Sequence, residues 1–593
     1  MVIPEMWLPL ILLAITGFVW ASVLNLGLTN WDDEGYILKN NLLKLPFPSL
    51  DQHFKNFVMG NYHPLTTLSL HWDSVFWKSP VWGYHFTNGI LHLINTLLVF
   101  FWLKNLKGTE SLAWVAALIF GIHPLHVESV AWVSERKDVL YSLFYLAALW
   151  VQTLYLKDKV SFFPYASASI VLFLLSVLSK GVAVTLAPVF FLNLWYYGKL
   201  PHRKEWLVPG LLLLLALIFG YVAIQAQQSS DSIKSLDETS WLMRPIYALY
   251  AIGAYVGKTL IPLRLSNFYP YPETKDLLLW LVAFTTVLGV SALVWFRNRI
   301  STTVWWGLGF LLLQLGPILQ LLPVGEALYA DRYMYLGLAG LFPALVFLIP
   351  ENLRSQKLAL GVLVVWMVGL GYWTRQRIPV WKDSLALWND MIQKYPEGYF
   401  VAYNNRAIIY HEKGNYPEAL RDFDKAISMY AQYTDAYYNR GTSKAAIGDK
   451  EGAIADFTAA LEINPKFHLA WYNRGNAFAI SGKMEEAERD YLKAVHLKPD
   501  YAEAWTNLGN VYGVRKESKK AEEAYSHSIN LNPQNAQAYN NRALSRVALG
   551  YTLNALKDFE TAIGLYEANG NKASADESRR NQALMIPGSS QND

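Results

Sequence analysis

Up to about residue 375 the chain is built from apolar runs of the length a lipid bilayer demands, and nothing else constrains its fold as strongly. A spanning helix needs roughly 20 apolar residues, and within lipid its backbone groups must pair inside the segment. Candidate spans lie at about 6–28, 84–103, 111–130, 138–156, 162–179, 182–197, 206–226, 277–296, 303–322, 333–350 and 358–374. The stretch 241–263 is apolar but carries Arg244 and Lys258, and it reads as an interfacial or re-entrant helix. After Val380 the sequence turns polar and helical, so the 53% hydrophobic content averages two unlike halves. The 23 Trp and 36 Tyr fit aromatic belts at membrane interfaces.

The run at 6–28 has no basic segment before it and exceeds a signal-peptide core, so it reads as a retained anchor. Short loops set the orientation. With the N-terminus cytoplasmic, inside loops hold Lys104, Lys107, Lys157, Lys159, Lys199, Arg203, Lys204, Arg297, Arg299, Arg354 and Lys357. The short outside loops hold Arg136, Lys137, Lys180 and Arg332. Eleven spans then place the polar half on the extracytoplasmic side. The expected location is a bacterial inner membrane with periplasmic repeats, the alternative being the endoplasmic reticulum with lumenal repeats. A net charge of +4 with no arginine-rich or RNP-like stretch argues against nucleic acid. The absence of cysteine excludes disulfides, Cys-ligated zinc and thiol nucleophiles.

Directly after the first apolar run stand Asp32, Asp33 and Glu34. Three acids at a bilayer surface gain nothing from lipid; the plain reading is a solvated loop, the chemical one a base or cation ligand aimed at something in the membrane. Other polar residues gather on the same expected face: His63, His71, Asp73, His85, His123, His126, Glu128, Glu135 to Asp138, Lys180, Glu326, Asp331 and Arg332. Charges at membrane depth need partners or a cavity, so this grouping predicts one polar pocket opening outward. For each histidine alone, a helix cap or interfacial hydrogen bond is the simpler role. His123 and His126, three residues apart, permit a shared metal without requiring one.

From 400 to 569 the chain repeats every 34 residues, in register, five times. Alanine recurs at Ala419, Ala453, Ala487, Ala521 and Ala555, and an aromatic at Phe423, Phe457, Tyr491, Tyr525 and Phe559. A small residue recurs at Ala407, Gly441, Gly475, Gly509 and Ala543. The pattern resembles the tetratricopeptide repeat, a helix–turn–helix unit that stacks into a superhelix. Asn405, Asn439, Asn473, Asn507 and Asn541 form a further invariant column. That column resembles the asparagine ladder of the nucleocytoplasmic O-linked N-acetylglucosamine transferase and implies a groove for extended polypeptide; the alternative is a frequent repeat choice without function. The expected fold is all-α: a transmembrane domain over 1–375, a connecting helix at 376–399 capping the solenoid, five repeats over 400–569, and a cap and flexible tail at 570–593.

Several segments are similar to the transmembrane and tetratricopeptide-repeat O-mannosyltransferases, within the GT-C glycosyltransferases. They are Trp31 to Ile37, His63-Pro64-Leu65, Tyr84 to Asn88, Ile122 to Leu140, and Asp331 to Tyr335. The resemblance implies a polyprenyl-phosphate-linked sugar, mannose or another hexose, as donor and Ser/Thr hydroxyls of a polypeptide as acceptor. It also implies a base in the first loop, Asp32 or Asp33, with Asp33 slightly favoured because other GT-C enzymes carry Asp-Glu there. Arg332, Arg136 and Lys180 would then hold the lipid phosphate, each alternatively pairing with Asp331 or Asp138. His63, His85, His123, His126, Glu128 and Asp331 would line the pocket or meet acceptor or cation. The family leaves a divalent cation open. Two other functions fit parts of the sequence: a membrane-anchored repeat scaffold without catalysis, and a lipid-linked oligosaccharide ligase or polymerase.

Overall fold

The computed structural model describes residues 5–45, 50–77, 80–106, 110–200, 202–228, 240–319, 327–349 and 356–585. They form two compact units that part between Tyr399 and Phe400. Among the described residues there is no strand beyond two isolated bridges, Val58 with Asn61 and Tyr269 with Tyr329.

In the first unit the described parts of the eleven apolar segments are largely helical, but they are not equivalent. Seven are long and apolar enough to cross a bilayer: Leu8–Asn25, Pro80–Lys104, Val133–Leu156, Phe162–Ser179, Arg203–Gln228, Leu277–Trp295 and Lys357–Trp381. An eighth, Glu110–Ile122 with Pro124–Ala131, is bent by 49°. The others, Gly181–Tyr196, Thr302–Ile318 and Met334–Leu348, are shorter. The chain is a membrane protein by the length and composition of these helices. Leu277–Trp295 exposes Phe284, Leu288 and Val290 along its length, a surface suited to lipid. Pro80–Lys104 instead buries Asn88, His92, Asn95 and Thr96 inward.

The bend follows from local sequence. Proline after His123 keeps that residue extended (φ −77°, ψ 132°) and breaks the helix. The carbonyls so released are satisfied from other spans and from His126 within the bent segment itself, as a lipid-embedded break requires. Gly121 accepts from Trp20 Nε1 at 2.6 Å, Ile122 from Thr374 Oγ1 at 2.6 Å, and Phe120 bonds His126 Nδ1 at 2.8 Å.

Residues 376–399 fall within this first unit. Ser384–Lys394 packs on the acidic loop: Trp388 Nε1 donates to Asn30 Oδ1 at 2.7 Å and Asn30 N to Ser384 Oγ at 2.8 Å. Trp31 stacks on Trp132, which stacks on Trp381.

The second unit is five antiparallel helix pairs, from Phe400–Glu412 with Tyr416–Met429 to Ala536–Ala548 with Thr552–Ala568, followed by Lys572–Ala583. The small column exists because the helices of a pair meet there: a Cβ on Gly475 would lie 2.8 Å from the Tyr491 ring, and on Gly509 2.5 Å from Tyr525. The expected tail falls largely outside the described residues.

A second column escaped the sequence reading. Arg406, Arg440, Arg474 and Arg542 each grip an aspartate 16 residues on with two parallel hydrogen bonds, as in Arg474 to Asp490 at 2.7 and 2.9 Å. In the fourth repeat both partners change together, to Leu508 and Ala524, which are buried in an apolar cluster with Tyr525.

Candidate functional site

The first loop, the turn Val133–Glu135 with the start of the helix Arg136–Leu156, and the turn before Met334 converge on a cavity of about 410 Å³. Its polar wall is Asp32, His63, Glu135, Lys137, Lys180 and Arg332; its apolar wall includes Val182, Gly220, Ala223, Pro317 and Ile318. The three short apolar helices all end against this region. Gly181–Tyr196 starts after Lys180, Thr302–Ile318 ends at Ile318, and Met334–Leu348 starts after Arg332 and Tyr333.

The structure separates the neighbouring carboxylates. Asp32 lines the cavity, its side chain 27% exposed, with Lys137 Nζ 3.9 Å away. Asp33 does not. It is fully enclosed, and both of its oxygens are taken: Oδ2 accepts from Thr29 N (2.9 Å) and Oγ1 (3.0 Å), Oδ1 from Ser134 N (2.9 Å) and Oγ (2.5 Å). Glu34 lies outside the cavity wall, half-exposed and paired with Lys39 at 2.6 Å. Burial pushes the Asp32 carboxyl above the ordinary carboxylate range against the pull of the Lys137 ammonium. Burial raises Asp33 as well, despite the donors from Ser134 and Thr29.

The expected phosphate ligands divide likewise. Arg332 is in the wall; its N–H donates to Glu128 Oε2 at 2.9 Å, its guanidinium pairs with Glu128, and its Nε lies 3.5 Å from Glu135. Lys180 is in the wall, 2.5 Å from Asp138 and 3.4 Å from Glu135. Arg136 points away. It is fully buried and held by Asn88, Asp73 (2.6 Å) and the Tyr84 carbonyl (2.9 Å). Its place is taken by Lys137, 3.1 Å from Glu135 and over the Tyr36 ring. Lys137 and Glu135 were in view in the sequence without a role; the start of a helix at Arg136 turns adjacent side chains about 100° apart, so only one of the pair 136 and 137 can face the cavity.

Among the histidines only His63 lines the cavity. It is buried, its Nδ1 has no hydrogen-bond partner, and burial beside Lys137 and Lys180 holds its imidazole well below the usual value. His85 bonds the Gly27 carbonyl at 3.2 Å, His123 the Thr259 carbonyl at 3.0 Å, and His126 the Phe120 carbonyl. Asp331 is buried against Tyr269 Oη at 2.8 Å and pairs with neither Arg332 nor the cavity. Glu128 backs Arg332 from behind the wall. Among the described residues no three His, Asp or Glu side chains could hold a metal ion. Glu326 lies outside the described residues.

In the repeats the asparagine column is a hydrogen-bonded spine. Asn439 Nδ2 donates to Asn404 Oδ1 (3.1 Å), Asn473 Nδ2 to Tyr438 Oη (2.9 Å), Asn507 Nδ2 to Asn476 Oδ1 (2.8 Å) and Asn541 Nδ2 to Asn510 Oδ1 (2.9 Å). Asn405 accepts from Asn404 at 3.2 Å. Asn507 also borders a hollow of about 360 Å³ with Ile480, Met484 and Val514. Since the four amides after Asn405 each tie one repeat to the one before, Asn507→Ala is expected to cost about 1 kcal/mol of stability, read by thermal unfolding; an unchanged melting temperature would remove the spine role.

Fold and site together define a polytopic membrane protein with a charged buried cavity and a tetratricopeptide solenoid. Models of the tetratricopeptide repeat match residues 400–433, 434–467 and 502–535, and one described as TPR repeat matches 475–513. The chain is similar to "Protein O-mannosyl-transferase F38B6.6" of Caenorhabditis elegans, 24% identical over 402 residues, which is 63% of this chain and 54% of that protein. It is also 33% identical over 127 residues to "Protein O-mannosyl-transferase TMTC2" of Mus musculus, covering 20% of this chain and 15% of that protein. The chain thus spans about half the length of the first relative and far less of the second. Both names agree with the resemblance carried by the short motifs. Solved structures of MamA (24% identity, TM-score 0.28, 29% of this chain, 93% of that one) and YrrB (19%, 0.29, 32% and 97%) are similar over part of the chain.

Proposed function

We propose that the protein moves a sugar, mannose or another hexose, from a polyprenyl phosphate to Ser/Thr hydroxyls of a polypeptide, on the extracytoplasmic face, with the repeats binding the acceptor. One observation carries this: a single cavity sets a carboxylate with a raised pKa, Asp32, beside the cations Lys137, Lys180 and Arg332. In this reading Asp32 takes the hydroxyl proton, the cations meet the charge growing on the leaving phosphate, and Asp33 holds the loop. The apolar wall contributed by Gly220 and Ala223 of the span Arg203–Gln228 suits a donor that arrives through lipid. The naming of the relatives as protein O-mannosyl-transferases supports the sugar and the acceptor class.

The test is incubation of the purified protein with radiolabelled polyprenyl-phosphate mannose and a Ser/Thr peptide; label in the peptide supports the reading, and none in peptide with active lipid donor overturns it. Arg332→Ala should raise the donor KM roughly 10- to 100-fold, the equivalent of one charge-assisted hydrogen bond, with a smaller effect on the peptide KM. Equal effects on both would give Arg332 another role.

A further inference from the structure

Three cations of the cavity converge on one carboxylate. Glu135 Oε1 lies 3.1 Å from Lys137 Nζ and 3.5 Å from Arg332 Nε, and Oε2 lies 3.4 Å from Lys180 Nζ. Its side chain is 2% exposed, and it sits on the turn Val133–Glu135 directly before the helix Arg136–Leu156. Lys180 and Arg332 each have a second acid behind them, Asp138 and Glu128, and Lys137 has Asp32 at 3.9 Å. Glu135 alone is shared by all three, in the position an oxyanion would take in such a cluster. Phosphate entering the cavity must therefore share its cations with a fixed negative charge.

That arrangement distinguishes the two ends of the proposed reaction, on which this inference rests. The donor is a phosphodiester with one negative charge. In transfer, the acceptor oxygen bonds to the anomeric carbon, the bond from that carbon to the phosphate oxygen breaks, and its electron pair leaves with the phosphate. The hydroxyl proton goes to Asp32. The product is a phosphomonoester, whose second ionisation lies near pH 6, so close to neutrality it carries almost one charge more than the donor.

We propose that Glu135 is a product-release residue: an internal counter-anion that weakens the hold of the three cations on phosphate, and weakens it about twice as much for the doubly charged monoester as for the singly charged diester. The effect is electrostatic and acts at short range in a water-poor cavity, where like charges interact strongly. Release of product sets the turnover of many transferases, and a fixed carboxylate supplies it without movement of the fold.

The test uses the full chain in lipid nanodiscs, with farnesyl phosphate as monoester and methyl farnesyl phosphate as diester, titrated by calorimetry at about pH 8 and about pH 5. At the higher pH Glu135→Gln should tighten the monoester at least about tenfold more than it tightens the diester, because the lost charge acts on about twice the ligand charge. Near pH 5, where the monoester holds its second proton, the variant should tighten both esters alike, within about threefold. The other titratable groups around Glu135 are Asp32, His63, Lys137, Asp138, Lys180, Glu128 and Arg332; both proteins carry them, so the unaltered chain at the same pH serves as the control for them. Glu135→Asp should keep the unaltered affinities. A Glu135→Gln change at pH 8 that is the same for both esters, or no change, would overturn the role. Should Glu135→Gln fail to fold, Glu135→Ala is read in the same way. Binding of neither ester by the unaltered protein would overturn the phosphate reading of the cavity and this inference with it, whereas binding of both with an equal response to Glu135→Gln overturns only the inference.

Discussion

Asp32→Asn is expected to lower transfer by roughly 10²- to 10⁴-fold, the usual contribution of a positioned base, while the protein stays folded. The amide is isosteric and keeps the cavity shape, but it cannot take the acceptor proton. Because burial raises the Asp32 carboxyl above the ordinary range, turnover in the unaltered protein should rise with pH through that raised value, as the base loses its proton, and the rise should disappear in Asp32→Asn. Asp33→Asn should behave differently. Its two oxygens accept four bonds from Thr29 and Ser134, and an amide nitrogen there would face donors with a donor. An unmatched buried polar group costs about 1–3 kcal/mol, so this variant should show a lowered melting temperature, and Ser134→Ala should reproduce part of it. Wild-type turnover in Asp32→Asn would end the assignment of the base.

Arg474→Ala is expected to destabilise the repeat unit by about 3–5 kcal/mol, the usual result of removing one member of a buried ion pair. Asp490, whose side chain is 5% exposed, would be left without its fork of two hydrogen bonds. The double variant Arg474→Leu, Asp490→Ala copies the fourth repeat, where Leu508 and Ala524 fill the same two positions with an apolar contact, and it should recover most of the loss. Urea unfolding of residues 400–585 measures both. If the double variant is as unstable as the single one, the pair has a role that apolar packing cannot replace.

Much of this molecule could be read from the chain because its strongest signals are periodic. Every 34-residue register position kept its place, and the described parts of the eleven apolar runs are largely helical, although seven of the eleven expected spans, or eight with the bent pair, are long enough to cross a bilayer. The paired column of Arg474 and Asp490 was also readable, since both residues vanish together in one repeat, but a spacing of 16 has meaning only once two helices are known to lie antiparallel. The cavity was less legible. Asp32 and Asp33, or Arg136 and Lys137, are adjacent and chemically alike, and their roles depend on which way a single turn of backbone points each side chain. The slight preference for Asp33 over Asp32 as base, and the inclusion of Arg136 beside Arg332 and Lys180 as a phosphate ligand, fell on the inward member each time: Asp33 is saturated by Thr29 and Ser134, Arg136 by Asn88, Asp73 and Tyr84. Three histidines that lie along the motifs serve backbone carbonyls, His85 that of Gly27, His123 that of Thr259 and His126 that of Phe120, and the last of these is what a break in a lipid-embedded helix asks for.

The acidic loop following the first span is pinned by residues that follow the last one: Gly27 N donates to the Lys382 carbonyl at 2.8 Å, and Asn30 is clasped by Ser384 and Trp388. The Ile122 carbonyl likewise waits for Thr374. During synthesis on the ribosome, where N-terminal parts emerge first, the second of these cannot close before Thr374 has been made, nor the first be complete before Trp388. Nascent chains arrested before that point would hold their membrane segments without a finished centre, which ties the onset of competence to the completion of insertion.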